Sequence, residues 1–318
     1  MVKPSKEAPV RRRVVSISLY LGTWLVLTAL APIWLLGAAL VGLFRRRSFI
    51  ILRLLMFAWV FFGVELLALL WVAAIFVRSS DEASLQARLF GLQMWWSHTL
   101  IRTAAALLDL RMQIEHGDVV PPGPAIVLTR HESILDTLLP GVYLQRPSAW
   151  PLRYVLKQEL LFDPCIDIVG NAMHHYFVDR TGDHETELRG IAKLAENIGT
   201  DGVLIYPEGT RFSPEKRERA LARIERSAPA LLADAQALTH VLPPRPGGVL
   251  ALLDALPDVD CVFFAHSGLE SLEKVKNVVS GEVVGSNVVG TLWRIPRSQI
   301  PKDQAQRVRW LYGQWARV

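Results

Sequence analysis

The chain has 318 residues, 51% of them hydrophobic, with 35 Lys and Arg against 30 Asp and Glu. That is room for one large domain plus an appendage, in a composition too apolar for an ordinary soluble enzyme. Charge is uneven: residues 1–80 carry a net +8 and the remainder −3. The body therefore lacks the basic face with readout residues that nucleic-acid binding requires, whereas basic clusters beside apolar runs fit anionic lipid headgroups. Cys165 and Cys261 stand in no metal or redox spacing, which fits a reducing compartment.

Residues 1–13 read as a polar, basic leader ending in Arg11-Arg12-Arg13. Two apolar runs follow, roughly 14–44 and 49–77, separated by Arg45-Arg46-Arg47-Ser48. Each is long enough to enter a bilayer. The first is longer than a signal peptide's apolar core and closes on no small-residue cleavage site, so it is expected to be retained. As a straight helix its roughly 31 residues would measure about 46 Å, yet Pro32 lies near its middle, where a helix kinks or breaks. Arginine triplets flank it on both sides, and Lys and Arg are held on the cytoplasmic side. A hairpin bent near Ala31-Pro32 and embedded in one leaflet is one expectation; two full spans joined by a short basic loop is the other. Glu65, inside the second run, is expected to pair with a neighbouring helix or snorkel rather than act as an intramembrane functional carboxylate. A third helical pattern, 83–110, carries Trp95-Trp96 midway and suits either the membrane interface or packing on the body.

From there strand-like and helix-like patterns alternate. Strands are expected at 111–115, 125–128, 152–156, 175–178, 202–206, 259–265 and 288–294, and helices at 134–144, 185–197, 214–234 and 301–315. This is the signature of an α/β domain with a mixed, largely parallel sheet flanked by helices. The organisation read from the chain is a leader at 1–13, an anchoring helical region at 14–80 and an α/β domain at 81–318.

Four blocks carry candidate chemistry. The first is Thr129-Arg130-His131-Glu132-Ser133-Ile134-Leu135-Asp136. On one ideal helix His131 and Asp136 would stand about 140° apart. They meet only if His131 lies in the loop before a helix and Asp136 in its first turn, with Ser133 as the N-cap. The carboxylate then accepts the imidazole Nδ1–H and leaves Nε2 free as a base. The same Ser133-x-x-Asp136 spacing also reads as a capping box with His131 an ordinary loop residue. A zinc-protease motif is excluded because Leu135 stands where its second His is required, and no Gly-x-Ser-x-Gly elbow occurs. The chain offers a base without a nucleophile of its own, so the nucleophile has to arrive with the substrate, as a hydroxyl would.

The second block, Phe177-Val178-Asp179-Arg180, ends a strand. Arg180 suits a phosphate or carboxylate, or a surface ion pair with Asp179 or Asp183. His174-His175 upstream invite a metal, but no second ligand group has the spacing for one. The third block is Tyr206-Pro207-Glu208-Gly209-Thr210-Arg211-Phe212, at the carboxyl end of a strand, where α/β sheets place ligands. Gly209 permits close backbone approach, Arg211 adds a second cation, and Glu208 could orient it or the substrate; a plain tight turn is the alternative. The fourth block, Leu242-Pro243-Pro244-Arg245-Pro246-Gly247-Gly248, reads as a rigid loop. Arg245 is a third candidate anion contact or an ordinary exposed arginine.

In order and spacing these blocks resemble the glycerolipid acyltransferase family, typified by 1-acylglycerol-3-phosphate O-acyltransferase, over about residues 90–270. The Glu208–Phe212 run and the Leu-Pro-Pro-Arg loop look closest to the branch of eukaryotic membrane lysophosphatidate acyltransferases. The resemblance implies acyl transfer from acyl-CoA, or acyl carrier protein, to the free hydroxyl of lysophosphatidic acid at a membrane, with neither metal nor cofactor. His131 would be the general base and Asp136 its orienting partner. Arg180, Glu208, Gly209, Thr210, Arg211 and Arg245 would bind the substrates. One departure stands out: the block before Arg180 lacks the family's glycine-led lead-in, since Gly170 lies further back and His174-His175 intervene. Other readings are another lysophospholipid acceptor, transacylation between phospholipids, or a non-catalytic lipid-binding module. The last has no need of an oriented base.

Overall fold

The computed structural model describes residues 9–45, 49–115, 123–133, 135–272 and 275–318. The first eight residues of the leader, Arg46-Arg47-Ser48 of the second basic cluster, and Ile134 lie outside the described residues. Four long helices come first: α1 (Pro9–Ala29), α2 (Ala31–Arg45), α3 (Ile50–Arg78) and α4 (Glu82–Leu108). The first apolar run does bend where Pro32 implies, with α1 and α2 meeting at 67°. Among the described residues α3 is the one helix long and apolar enough by itself to cross a membrane, and α1 with α2 passes the same test as a bent pair. Asp81 starts α4 by accepting the Ser84 amide at 2.8 Å. Leu89, Leu92, Leu100 and Leu108 of α4 are buried among core residues, so this helix packs on the body and on α3. Glu65 of α3 is fully buried and accepts the Trp96 indole N–H of α4 at 2.6 Å.

All seven expected strands form, each within two residues of its expected limits: β1 (Arg111–Glu115), β2 (Ala125–Thr129), β3 (Leu152–Lys157), β4 (Tyr176–Val178), β5 (Gly202–Ile205), β6 (Asp260–Ser267) and β7 (Asn287–Ile295). They make one sheet in the order β1-β7-β6-β2-β5-β3-β4. Every neighbouring pair is parallel except β6 and β7, which run antiparallel with Phe264 opposite Leu292. The central strands are apolar on both faces, as a sheet covered on both sides requires. Ala125 and Val127 of β2 pack into the core shared with α3 and α4. Ile126 and Leu128 pack into the opposite core, against the helices that follow later in the chain.

Those later elements depart more from expectation. The single helix expected at 134–144 is a 3₁₀ turn at Leu135–Leu138, a wide turn at Gly141–Gln145 and one turn of α-helix, α5 (Arg146–Ser148). Pro140 has no N–H for the carbonyl of Asp136, which ends the first turn. A helix not foreseen, α6 (Pro164–Ala172), is capped by Asp163 accepting the Ile166 amide at 2.9 Å. After α7 (His184–Ala192), the helix expected at 214–234 divides at Pro229 into α8 (Pro214–Ser227) and α9 (Leu232–Ala237). The expected rigid loop 242–248 is cut short, because Pro246 opens α10 (Pro246–Ala255) at the position where proline suits a helix. α11 (Val275–Ser280) and α12 (Gln304–Trp315) complete the chain.

The first helix is tied to the body. Arg12 and Arg13 both donate to the fully buried Asp167 of α6, at 2.8–3.0 Å and 3.2 Å, and Tyr20 donates to Asp163 at 3.1 Å.

Candidate active site

Four parallel strands that are neighbours in the sheet, β2, β5, β3 and β4, end on the same edge, and three of them, β2, β5 and β4, lead into candidate residues there. From β2 the chain runs into His131, whose Nδ1 lies 3.0 Å from Asp136 Oδ1. Asp136 sits in the first turn after the loop, as the spacing required. Its other oxygen accepts the backbone amides of Glu132 and, at 2.6 Å, Ser133, while Ser133 Oγ accepts the Asp136 amide at 3.2 Å. The dyad and the capping box are thus one structure: the cap fixes the carboxylate that fixes the imidazole. With Oδ2 accepting two amides, Asp136 turns Oδ1 to the Nδ1–H, and Nε2 is the ring's remaining basic nitrogen.

The loop is braced on both sides. On the β5 side Glu208, 1% exposed, accepts the His131 amide at 3.1 Å and the Leu242 amide at 3.0 Å. Both oxygens are spent on backbone, so Glu208 joins the dyad loop to the proline loop and does not face the cations. Burial pushes its pKa up to about 7, against the pull of those two amides. The Phe212 amide donates to the His131 carbonyl at 3.1 Å, which joins the dyad loop directly to the Glu208–Arg211 turn, and the Tyr206 ring packs 4.8 Å from the His131 ring. On the β6 side Arg130 and His266 clasp each other. The guanidinium donates to the His266 carbonyl at 2.7 Å and to the His240 carbonyl at 2.8 Å, and the His266 Nε2–H donates to the Arg130 carbonyl at 3.1 Å. Arg130 also pairs with Glu132 at 2.6 Å. Burial lifts the Glu132 pKa to about 8, against the opposing pull of Arg130. A cavity of about 360 Å³ behind the loop is lined by these two residues, Phe212, His240 and Glu270.

The cations come from the next strand ends. Gly209, at φ +67°, closes a turn in which its amide donates to Tyr206 O at 2.9 Å. The absence of a Cβ lets Arg245 lie across it, with Cδ only 3.3 Å from where a Cβ would stand. Thr210 and Arg211 follow in the same turn, both half-buried. Arg180 ends β4. Neither expected partner pairs with it: Asp183 caps α7 through the Thr186 amide at 2.8 Å, and Asp179 accepts from Thr181 at 2.9 Å. Sequence reading overlooked Lys157, the last residue of β3, which sits between them. Burial first, then Arg180 and Arg211, push the Lys157 ammonium down to about 8. Arg245 is lowered by burial, Arg223 and Arg180. Among the described residues Lys157, Arg180, Arg211 and Arg245 find no hydrogen-bonding or ion-pairing side chain. Exposed Glu159 lies near Lys157 and Arg180 without an ion pair to either, so four gathered cations face one carboxylate and make an anion site. The signal that could have found Lys157 is a cation closing an apolar strand run, as Arg180 does. His175 belongs to the core: its Nδ1 accepts the Tyr154 amide at 3.3 Å and burial pushes its pKa down to about 3.

Fold and site together define an α/β domain with an oriented imidazole beside an anion-binding cluster. Residues 111–262, just under half of the chain, match the family model described as Acyltransferase. It is 27% identical over 119 residues to the 1-acyl-sn-glycerol-3-phosphate acyltransferase of Pseudomonas aeruginosa, covering 37% of this chain and 44% of that one. It is 26% identical over 208 residues to the mouse (Mus musculus) 1-acyl-sn-glycerol-3-phosphate acyltransferase epsilon, covering 59% and 54%. The chain spans about half the length of these curated relatives. The fold matches the crystal structure of the lysophosphatidate acyltransferase PlsC from Thermotoga maritima with a TM-score of 0.55 at 13% identity, over 83% of this chain and 95% of that one.

Proposed function

We propose that this chain moves a fatty acyl group from acyl-CoA, or from acyl carrier protein, to the free hydroxyl of lysophosphatidic acid, making phosphatidic acid in phospholipid synthesis. The observation that carries the reading is the union of two sites: the 3.0 Å His131–Asp136 contact and the unpartnered cations, bridged by the Phe212–His131 backbone bond. His131 Nε2 takes the proton of the acceptor hydroxyl as its oxygen forms a bond to the thioester carbonyl. The tetrahedral intermediate collapses, the carbon–sulfur bond breaks, and the thiolate receives the proton from Nε2. Asp136 holds the imidazolium in between. Lys157, Arg180 and Arg211 hold the acceptor phosphate. The apolar helices α1 to α3 attach the enzyme to the membrane, where the acceptor and product reside, with the catalytic domain on the cytoplasmic face.

Thiol release from acyl-CoA with and without lysophosphatidate, on the full chain in vesicles, tests this. Wild type releases thiol and forms phosphatidic acid only when lysophosphatidate is present. His131→Ala loses about 10²–10⁴ in rate, and Asp136→Asn loses less. Retention of more than about half of the wild-type rate by His131→Ala would sink the dyad assignment, and an equal rate with other lysophospholipids would redirect the acceptor.

A further inference from the structure

The cations of this site do not stop at its mouth. α8 begins directly after the Glu208–Arg211 turn, where Lys216 Nζ donates to the Arg211 carbonyl at 2.9 Å. Lys216, Arg219, Arg223 and Arg226 follow at helical spacing. At about 100° per residue the four fall within an arc of about 80°, and ten residues at about 1.5 Å each make a row about 15 Å long. The three arginines are exposed. Arg219 and Arg226 each spend only Nε on a carbonyl of their own helix, at 3.1 Å, which leaves their terminal nitrogens for another acceptor. The Arg223 side chain has no hydrogen-bonding or ion-pairing partner among the described residues and stands near enough to Arg245 to lower its pKa, so the row joins the inner cluster. One lysophosphatidate carries one phosphate, and five side chains, Lys157, Arg180, Arg211, Arg245 and Arg223, exceed what that phosphate needs.

We propose that α8 carries a second anion site, built on Arg223, Arg226 and Arg219, and that it binds the phosphate-bearing nucleotide end of coenzyme A on the acyl donor. This rests on the acyltransferase reading above and assigns the donor. Two features choose the occupant. Ile224 of α8 packs in the core opposite the one shared with α3 and α4, so the row belongs to the layer across the sheet from the apolar helices. That placement suits a water-soluble donor rather than lipid headgroups. The positive surface is also a single row. Glu218 and Glu225 lie on the opposite flank of the helix, Glu215 stands at the N-terminal end of the row and accepts from Ser213 at 2.7 Å, and Arg217 is taken up by the carbonyls of Leu238 and Gln236. A linear polyanion follows such a row, whereas the acidic surface of a carrier protein needs a wider positive face.

The test is the double variant Arg223→Gln/Arg226→Gln in the full chain, with two readouts. Calorimetric binding of free CoA should weaken by about tenfold at low salt and lose much of its salt dependence. In turnover, the KM for oleoyl-CoA should rise by a similar factor, while the KM for oleoyl-pantetheine, which lacks the nucleotide, and for lysophosphatidate stay within about twofold. Unchanged CoA binding, an equal rise for both donors, or a loss seen only with acyl carrier protein would each overturn the proposal, the last assigning the row to the carrier. If wild type binds CoA and the variant does not, but lysophosphatidate is never acylated, the acceptor reading fails and the α8 site stands.

Discussion

Lys157 is where one residue's titration reports on binding. Its ammonium is pushed down to about 8 by burial and by Arg180 and Arg211. It therefore keeps its charge below about pH 7 and loses it as pH rises through 8, sooner than an ordinary lysine. Because kcat/KM reports the free enzyme, kcat/KM for lysophosphatidate should fall above pH 8, and Lys157→Arg, charged throughout, should flatten that fall. An equally steep fall in the variant would remove Lys157 from the phosphate site. Glu208 makes the opposite prediction. Its two oxygens each hold a backbone amide, and Glu208→Gln leaves one amide without its acceptor. The cost is about 1–3 kcal/mol of stability, with a lower kcat and little change in acceptor KM. A strong rise in acceptor KM would show that Glu208 touches substrate after all. His131 and Asp136 were legible from the sequence because their geometry is local: five residues and one cap decide it. Lys157, Arg130 and His266 were not, because their roles come from strands that meet only in the folded sheet.

Among the elements, the junction of α1 and α6 depends on one carboxylate. Asp167 is fully buried and pairs with Arg12, whose side chain is 8% exposed. Removing one partner of a buried pair costs about 3–5 kcal/mol, because the other charge stays desolvated. Asp167→Asn should release α1, read as faster tryptic cleavage after Arg12 and Arg13 at unchanged fold of the body. Cleavage at the wild-type rate would mean that Tyr20 and the apolar contacts hold α1 alone. Strands and helices were not equally readable. A buried strand announces itself as a short apolar run, such as Ala125-Ile126-Val127-Leu128, so all seven were found. Helices broken by Pro140 and Pro229 keep helical spacing on both sides of the break. α10 hid its start behind prolines and glycines that look like loop.

At the scale of the whole molecule, the 67° bend between α1 and α2 returns the question of how the chain meets the bilayer. Both arginine triplets stay on the cytoplasmic side if the bent pair dips into one leaflet. Cysteines placed at Ser48 and Ser79, in a chain without Cys165 and Cys261, should then both be protected from an impermeant thiol reagent on sealed, right-side-out cells. Labelling of Ser48→Cys alone would favour two full spans. The order of the sheet has its own bearing on this. β1 has a single neighbour, β7, and the first pair in that ladder joins Arg111 to Asn287. At about 5–20 residues per second of synthesis, β1 waits about 9–35 s for its partner to be made. The four leading helices leave the ribosome long before that ladder can close. Membrane capture would then come first and the catalytic sheet would be assembled on a chain already moored, so a ribosome stalled before Asn287 would leave an anchored protein with an open sheet edge, a substrate for quality control rather than an enzyme.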